Sequence, residues 1–120
     1  MTNPRNRFHD MAKLKGWWDN CKSRTVQGAL NDDKVEALVP EKLALIHSEV
    51  SEALECYREG KMADIADCTG KPTGLPSELA DVVIRVYDLA GALGIDLDAA
   101  IERKHNFNAT RPVRHGGKRC

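Results

Sequence analysis

Between Leu79 and Leu93 the apolar residues Leu79, Val82, Val83, Val86, Leu89, Ala90 and Leu93 recur at helical spacing. The valines of "DVVIRV" invite a strand, but a period of 3.6 sustained over about four turns selects a helix. Ser77 or Pro76 opens it and Gly94 ends it. A second strong helix opens at Pro40, runs to about Glu59 and stops at Gly60. Nothing else in the chain reads as a strand. Asn3-Pro4 predicts the cap and first turn of an N-terminal helix carrying Phe8, Met11, Ala12 and Trp18 on one side. Residues 23–39 break up around Gly28 and "NDD" and read as a loop with one helical turn at most. Residues 61–76, with two prolines and two glycines, read as a connector, with at most a short helix at its start. Asp96 caps a last helix that runs to about Asn108, where "ATRP" breaks it.

These elements predict an all-α chain of one domain spanning 1–120, with 109–120 as a basic C-terminal tail. Two long and two shorter helices carry more apolar surface than one thin subunit covers. The expected architecture is therefore an antiparallel helical bundle completed by oligomerisation.

A helical wheel locates the acids on the two strong helices. On the first, Leu43, Ile46, Val50, Ala53, Leu54 and Tyr57 fall in an arc of about 100°, expected to face the core, and Glu49 and Glu52 lie about 90° and 150° from its centre. On the second, Glu78 and Asp81 lie about 80° and 140° from the centre of the apolar arc, in the same rotational sense. The spacing within each pair is automatic; the shared offset and hand are not. Leu45 and Cys56 share the side of Glu49 and Glu52, so these acids sit in a second, partly apolar strip that faces another helix. Carboxylates turned toward a helical partner repel one another and are costly to desolvate unless a cation neutralises them.

An all-oxygen set of this kind suits Mg²⁺, with Mn²⁺ as a substitute. A carboxylate di-iron bundle needs Glu-x-x-His on two helices, and neither Glu49 nor Glu78 has a histidine three residues on. A plainer reading stays open at this point: solvated faces of amphipathic helices, with Glu78 and Asp81 favoured near a helix N-terminus by the dipole.

Charge and cysteine usage narrow the partners. With 18 basic and 18 acidic residues the formal charge is zero, and no overall field draws the chain to nucleic acid or membrane. The balance is uneven along the chain, however. From Ile101 onward Arg103, Lys104, Arg111, Arg114, Lys118 and Arg119 face only Glu102, while residues 41–60 hold five Glu against Lys42 and Arg58. An acidic middle and a basic tail together suit a polyanion met through cations on both sides. Cys21, Cys56, Cys68 and Cys120 form no CxxC pair and no metal-like spacing with histidine. With no apolar leader and no run long enough to span a bilayer, free thiols in a reducing, cytoplasmic setting are expected.

"EKLALIHSEVSEALE", followed after a connector by "ELADVVIRVYDLAGALG", resembles the ExxE and ExxD signature of the MazG-like, all-α nucleoside triphosphate pyrophosphohydrolases. The ending "ERKHNFNATRPVRHGGKR" is similar to the K-x-x-x-N, R-P and H-G-x-K tail of stand-alone members. The resemblance runs from about residue 8 to the end, with "KGWWD" as its weaker N-terminal part. It implies hydrolysis of a nucleoside triphosphate between the α and β phosphates, giving the monophosphate and pyrophosphate. It also implies Glu49, Glu52, Glu78 and Asp81 as metal ligands, and a homodimer or homotetramer with its site near the subunit interface. Glu49 or Glu52 is the expected acceptor of a proton from the attacking water.

Beside that resemblance, Lys104 and Asn108 stand at i and i+4, on one face of the last helix, placed to meet one phosphate or sugar group. Arg111 can fork onto phosphate oxygens and Lys118 can add a mobile point charge. Trp18 fits the Phe8 and Met11 stripe, which leaves Trp17 as the indole for stacking on a base. His47 and Tyr57 are expected in the core. Three rival readings remain: a phosphoribosyl-ATP or dUTP hydrolase, a non-catalytic dimeric helical adaptor, and a nucleic-acid binder using the basic tail. Zero net charge and the lack of a recognition motif disfavour the last.

Overall fold

The computed structural model describes residues 6–22 and 30–113. The Asn3-Pro4 start, Gly28, Arg114, His115, Lys118, Arg119 and Cys120 lie outside the described residues. Four helices dominate: α1 (Arg7–Leu14), α2 (Asp32–Arg58), α3 (Leu75–Ala92) and α4 (Leu97–Ala109). None of them is long and apolar enough to cross a membrane. A 3₁₀ turn, Asp19–Cys21, follows α1, and Lys22 bridges back to Leu30 just before α2.

α2 begins eight residues earlier than Pro40 leads one to expect. Asn31 accepts a hydrogen bond from the Lys34 N–H, and Asp32 and Asp33 sit in the first turn, where the helix dipole favours acids. Pro40 lies inside the helix on its exposed side. A proline there removes one backbone bond, at a cost of about 3 kcal/mol. The cap offsets part of that cost, as does the burial of Val35 and half-burial of Leu38 and Val39 in the first turns.

The connector is a small hairpin where at most a short helix was expected: β1 (Ile65–Ala66) pairs antiparallel with β2 (Pro72–Thr73). At its tip Asp67 Oδ1 accepts from the Thr69 and Lys71 backbone N–H groups and from the Thr69 hydroxyl. This side-chain turn closes the loop without helical hydrogen bonds. Gly74, at φ 95°, then opens α3. A Cβ there would run into the Ala63 carbonyl oxygen, so the entry into α3 needs glycine on both counts. Ser77 is not the cap; its hydroxyl donates to the Pro72 carbonyl. Asp96 caps α4 as expected, accepting from the Ala99 N–H.

α2 and α3 run antiparallel, since Glu49 meets Arg85 while Glu52, further along α2, approaches Glu78 at the start of α3. The core lies beside this pair: Ala12, Trp18, Cys21, Val35 and Leu89 are buried, with Leu38, Val39, Ile46 and Ala92 packed around them. Trp18 is fully buried, but it belongs to the turn after α1 and not to the helix, while Met11 is exposed. α1 approaches α3 so closely that a Cβ on Gly91 would lie 2.6 Å from His9 Cβ.

Only one edge of the apolar arc of α2, Ile46 and Ala53, turns inward. Leu43, Val50, Leu54 and Tyr57 are each about half or more exposed, as are Leu79 and Val83 on α3. His47 is exposed as well. Glu49 and Ala53 are the buried residues in this part of α2. α3 covers the strip that holds the acids, with the adjoining edge of the apolar arc, and the rest of that arc is left facing outward.

Candidate carboxylate site between two helices

Glu49 and Glu52 on α2 and Glu78 on α3 each bring a carboxylate oxygen to within 4.8 Å of the others. Antiparallel packing of the two ExxE/ExxD helices produces the cluster, because it sets the last turns of α2 against the first turns of α3. Asp81 stays outside that group of three. The residue is exposed as a whole, yet its carboxyl is partly desolvated. Burial, and then the negative charge of Glu49, push it above the usual range, against the opposing pull of Arg85 and Lys71.

The electrostatics within the cluster are those of crowded acids. The Glu49 side chain is 9% exposed, and Arg85 Nε–H donates to its Oε1 at 2.7 Å. Its second oxygen, Oε2, is buried and has no hydrogen-bond partner; the same is true of Glu78 Oε2. Glu52 is held above the ordinary carboxylate range, first by a hydrogen bond shared with Glu49 and then by the negative charges of Glu49 and Glu78. Three acids stand against one guanidinium. Buried acceptors are ordinarily satisfied, so two orphaned oxygens aimed into one all-oxygen cluster fit a divalent cation of the Mg²⁺ or Mn²⁺ type.

The stripe that carries Glu78 and Asp81 continues down α3. Arg85 and Asp88 follow at the next helical positions, and neither was singled out from the sequence. Extending the wheel by two turns finds both. Asp88 is buried, and its Oδ1 accepts from His9 Nδ1–H and Trp18 Nε1–H, each at 2.8 Å. This network fixes the turn holding Trp17 and Trp18 against α3.

Trp17, 46% exposed, lies at the rim of the carboxylate cluster, with the Arg85 guanidinium 5.1 Å from its ring centre. Lys42 on α2 donates to the Trp17 carbonyl and stands 4.3 Å over the Trp18 ring. Lys71, in the hairpin, acts on Asp81. It is a further cation near the site that the sequence did not mark.

The other expected substrate contacts lie elsewhere. Lys104, Asn108 and Arg111 belong to α4 and the residues just after it, and α4 packs only sparsely on the rest of the described chain. Lys104 and Arg111 rest against the Phe107 ring of their own helix. Lys104 and Asn108 also line a cavity of about 410 Å³ with Leu97 and Ile101. A second cavity of about 270 Å³, between Tyr87, Gly91 and Asp98, is likewise away from the carboxylates. Neither cavity marks the candidate chemistry, which sits at the open end of the α2–α3 pair.

No protein-family model matches this chain, and neither a curated protein nor a solved structure matches it.

Proposed function

We propose that this protein is a Mg²⁺-dependent nucleoside triphosphate pyrophosphohydrolase of the MazG-like kind, converting a (d)NTP to the (d)NMP and pyrophosphate. The observation that carries the reading is the meeting of Glu49, Glu52 and Glu78 across two helices, with buried, unpartnered oxygens on Glu49 and Glu78. Glu49, Glu52 and Glu78, with Asp81 beside them, would hold the metal. When bound, a divalent ion of this type supplies charge neutralisation for the phosphates and lowers the pKa of a coordinated water.

The chain's own groups supply the rest. Arg85 fixes the orientation of Glu49. Glu52 faces solvent, and the crowding of Glu49 and Glu78 raises its affinity for a proton, so the Glu49–Glu52 pair is the proton acceptor for the attacking water. The exposed ring of Trp17 offers a surface for the base. Lys71, in the hairpin loop, is a cation whose charge reaches Asp81 and is available to a phosphate.

The same reading includes self-association. Leu43, Val50, Leu54, Tyr57, Leu79 and Val83 form an exposed apolar surface on α2 and α3, and a homodimer or homotetramer covers it. Lys104, Asn108 and Arg111, standing off on α4, are then offered to a neighbouring copy, and Lys118 in the tail adds to them. Cys21, Cys56 and Cys68 are free thiols, in keeping with a reducing, cytoplasmic setting. House-cleaning of damaged nucleotides or control of a dNTP pool is the role we assign.

The test is a panel of canonical and modified nucleoside triphosphates with Mg²⁺, scored separately for pyrophosphate and orthophosphate. Pyrophosphate as the first product is expected. Orthophosphate first removes α,β-cleavage, and no turnover across the panel leaves the non-catalytic adaptor.

A further inference from the structure

Arg85 uses only part of its hydrogen-bonding capacity. Nε–H is spent on Glu49 Oε1 at 2.7 Å, and the guanidinium lies 5.1 Å from the centre of the Trp17 ring. Nη1 and Nη2 have no hydrogen-bond partner among the described residues. The side chain is 27% exposed, so this idle edge of the fork is reachable from solvent. Arginine's planar fork matches two oxygens of one phosphate, and two parallel charge-assisted bonds form at little further entropic cost once the plane is held. Here it is held twice, by the carboxylate at Nε and by the indole against its face.

We propose that Arg85 is a phosphate-binding and positioning residue: its Nε keeps Glu49 aimed into the carboxylate cluster while its two Nη groups grip a triphosphate brought in with the divalent cation. The inference rests on the metal-site reading above and adds the contact that seats the polyphosphate. It explains why a cation sits beside carboxylates whose free oxygens fit a metal. The guanidinium neutralises one acid in the absence of substrate, and it presents positive charge to the anion when the metal carries the rest. It also links the rim to the chemistry, because a polyphosphate drawn onto Nη1 and Nη2 pulls on a group stacked on Trp17.

Two titrations on the 120-residue chain test this, neither needing turnover. Mn²⁺ alone, followed by electron paramagnetic resonance, reads the carboxylates. Inorganic tripolyphosphate with Mg²⁺, followed by calorimetry and by tryptophan fluorescence, reads the fork. Arg85→Met should weaken tripolyphosphate binding by about tenfold or more, the order of effect one adjacent charge exerts on a carboxylate's proton affinity. Its Mn²⁺ affinity should change much less, since loss of the Nε anchor on Glu49 is offset by removal of a competing positive charge. Arg85→Lys, which keeps the charge and loses the fork, should fall between wild type and Arg85→Met for tripolyphosphate. Trp17→Phe should remove the fluorescence change.

A purely structural role predicts parallel loss of both ligands, and that result overturns the proposal. So does tripolyphosphate binding that ignores both Arg85 substitutions. If Arg85→Met fails to fold, Arg85→Lys decides alone: wild-type Mn²⁺ affinity with weakened tripolyphosphate supports the proposal, and wild-type affinity for both sinks it. Failure of the underlying reading looks different. Wild type that takes up no Mn²⁺ defeats both ideas, whereas Arg85-dependent tripolyphosphate binding without hydrolysis of any nucleotide leaves the inference standing and removes the enzyme.

Discussion

His9 Nδ1 stands 2.8 Å from Asp88 Oδ1, joining α1 to α3 through two buried side chains 79 residues apart. Trp18 Nε1 donates to the same oxygen, so one carboxylate holds α1 and the turn after it against the helix that carries Glu78 and Arg85. Removing it strands two buried donors. Asp88→Ala should destabilise the fold by about 3 kcal/mol, in line with breaking a buried charged network from one side, and Asp88→Asn, which keeps an acceptor, by less. Urea unfolding followed by circular dichroism measures the difference. Equal stability of Asp88→Ala and wild type would falsify the structural role given to this oxygen.

The carboxylates should behave as ligands and not as surface charge. Glu49→Gln and Glu78→Gln are each expected to lower turnover by at least about a hundredfold, as loss of a metal-holding group does, with helical content retained. Full activity in either variant would remove its side chain from the site.

Metal should also register in stability. An ion bound only by the folded state adds about 2.7 kcal/mol at a hundred times its Kd. Thermal unfolding should therefore shift upward with Mg²⁺ in wild type and not in Glu49→Gln. The shift should reverse with a chelator.

The acids set a pH slope in the absence of divalent ions. The carboxyls of Glu52 and Asp81 are pushed up in the fold, by the Glu49 hydrogen bond and by burial respectively. A carboxyl with a raised folded-state pKa binds its proton more tightly folded than unfolded, so this contribution to stability falls as pH rises from the ordinary carboxylate range through the raised value. The lowered carboxyls of Glu59 and Asp67 slope the other way. The comparison to make is therefore wild type against Glu52→Gln across pH 4 to 8 in chelator, a window set roughly by carboxylate pKa values and their upward shifts. Wild type should lose stability relative to the variant as pH rises; a constant difference would show that Glu52 feels no crowding.

Charge placed on the outward stripe should break self-association without unfolding the chain. Val50→Glu with Leu54→Lys removes apolar surface that the monomer leaves about half exposed, so circular dichroism should be unchanged while sedimentation moves to the monomer mass. A monomeric wild type at micromolar concentration contradicts the assembly from the start.

The amino-acid sequence by itself determined α3, α4, the second half of α2 and the kinship of their acids. Period 3.6 marked α3 despite its valines, Asp96 marked the start of α4, and the matched offsets of Glu49, Glu52, Glu78 and Asp81 pointed to one shared site. Three of those four carboxylates do converge. Local chemistry also spoke at Asn31, Asp32 and Asp33, a cap and acidic first turn hidden by the expectation that Pro40 begins a helix.

Which stripe of α2 turns inward was decided only by tertiary structure. Periodicity shows that a helix has faces, but the more apolar face wins the interior only if a neighbour within the same chain covers it. Here α3 covers the strip of Glu49 with the Ala53 edge of the apolar arc, and Leu43, Val50, Leu54 and Tyr57 are left outside. The wheel places Arg85 and Asp88 on the stripe of Glu78 and Asp81 but gives them no role for the same reason: an isolated charge on a wheel is a solvated residue until a partner is set against it. The partners are Glu49, His9 and Trp18, brought from 36, 79 and 70 residues away by the folding of α1 and α2 onto α3.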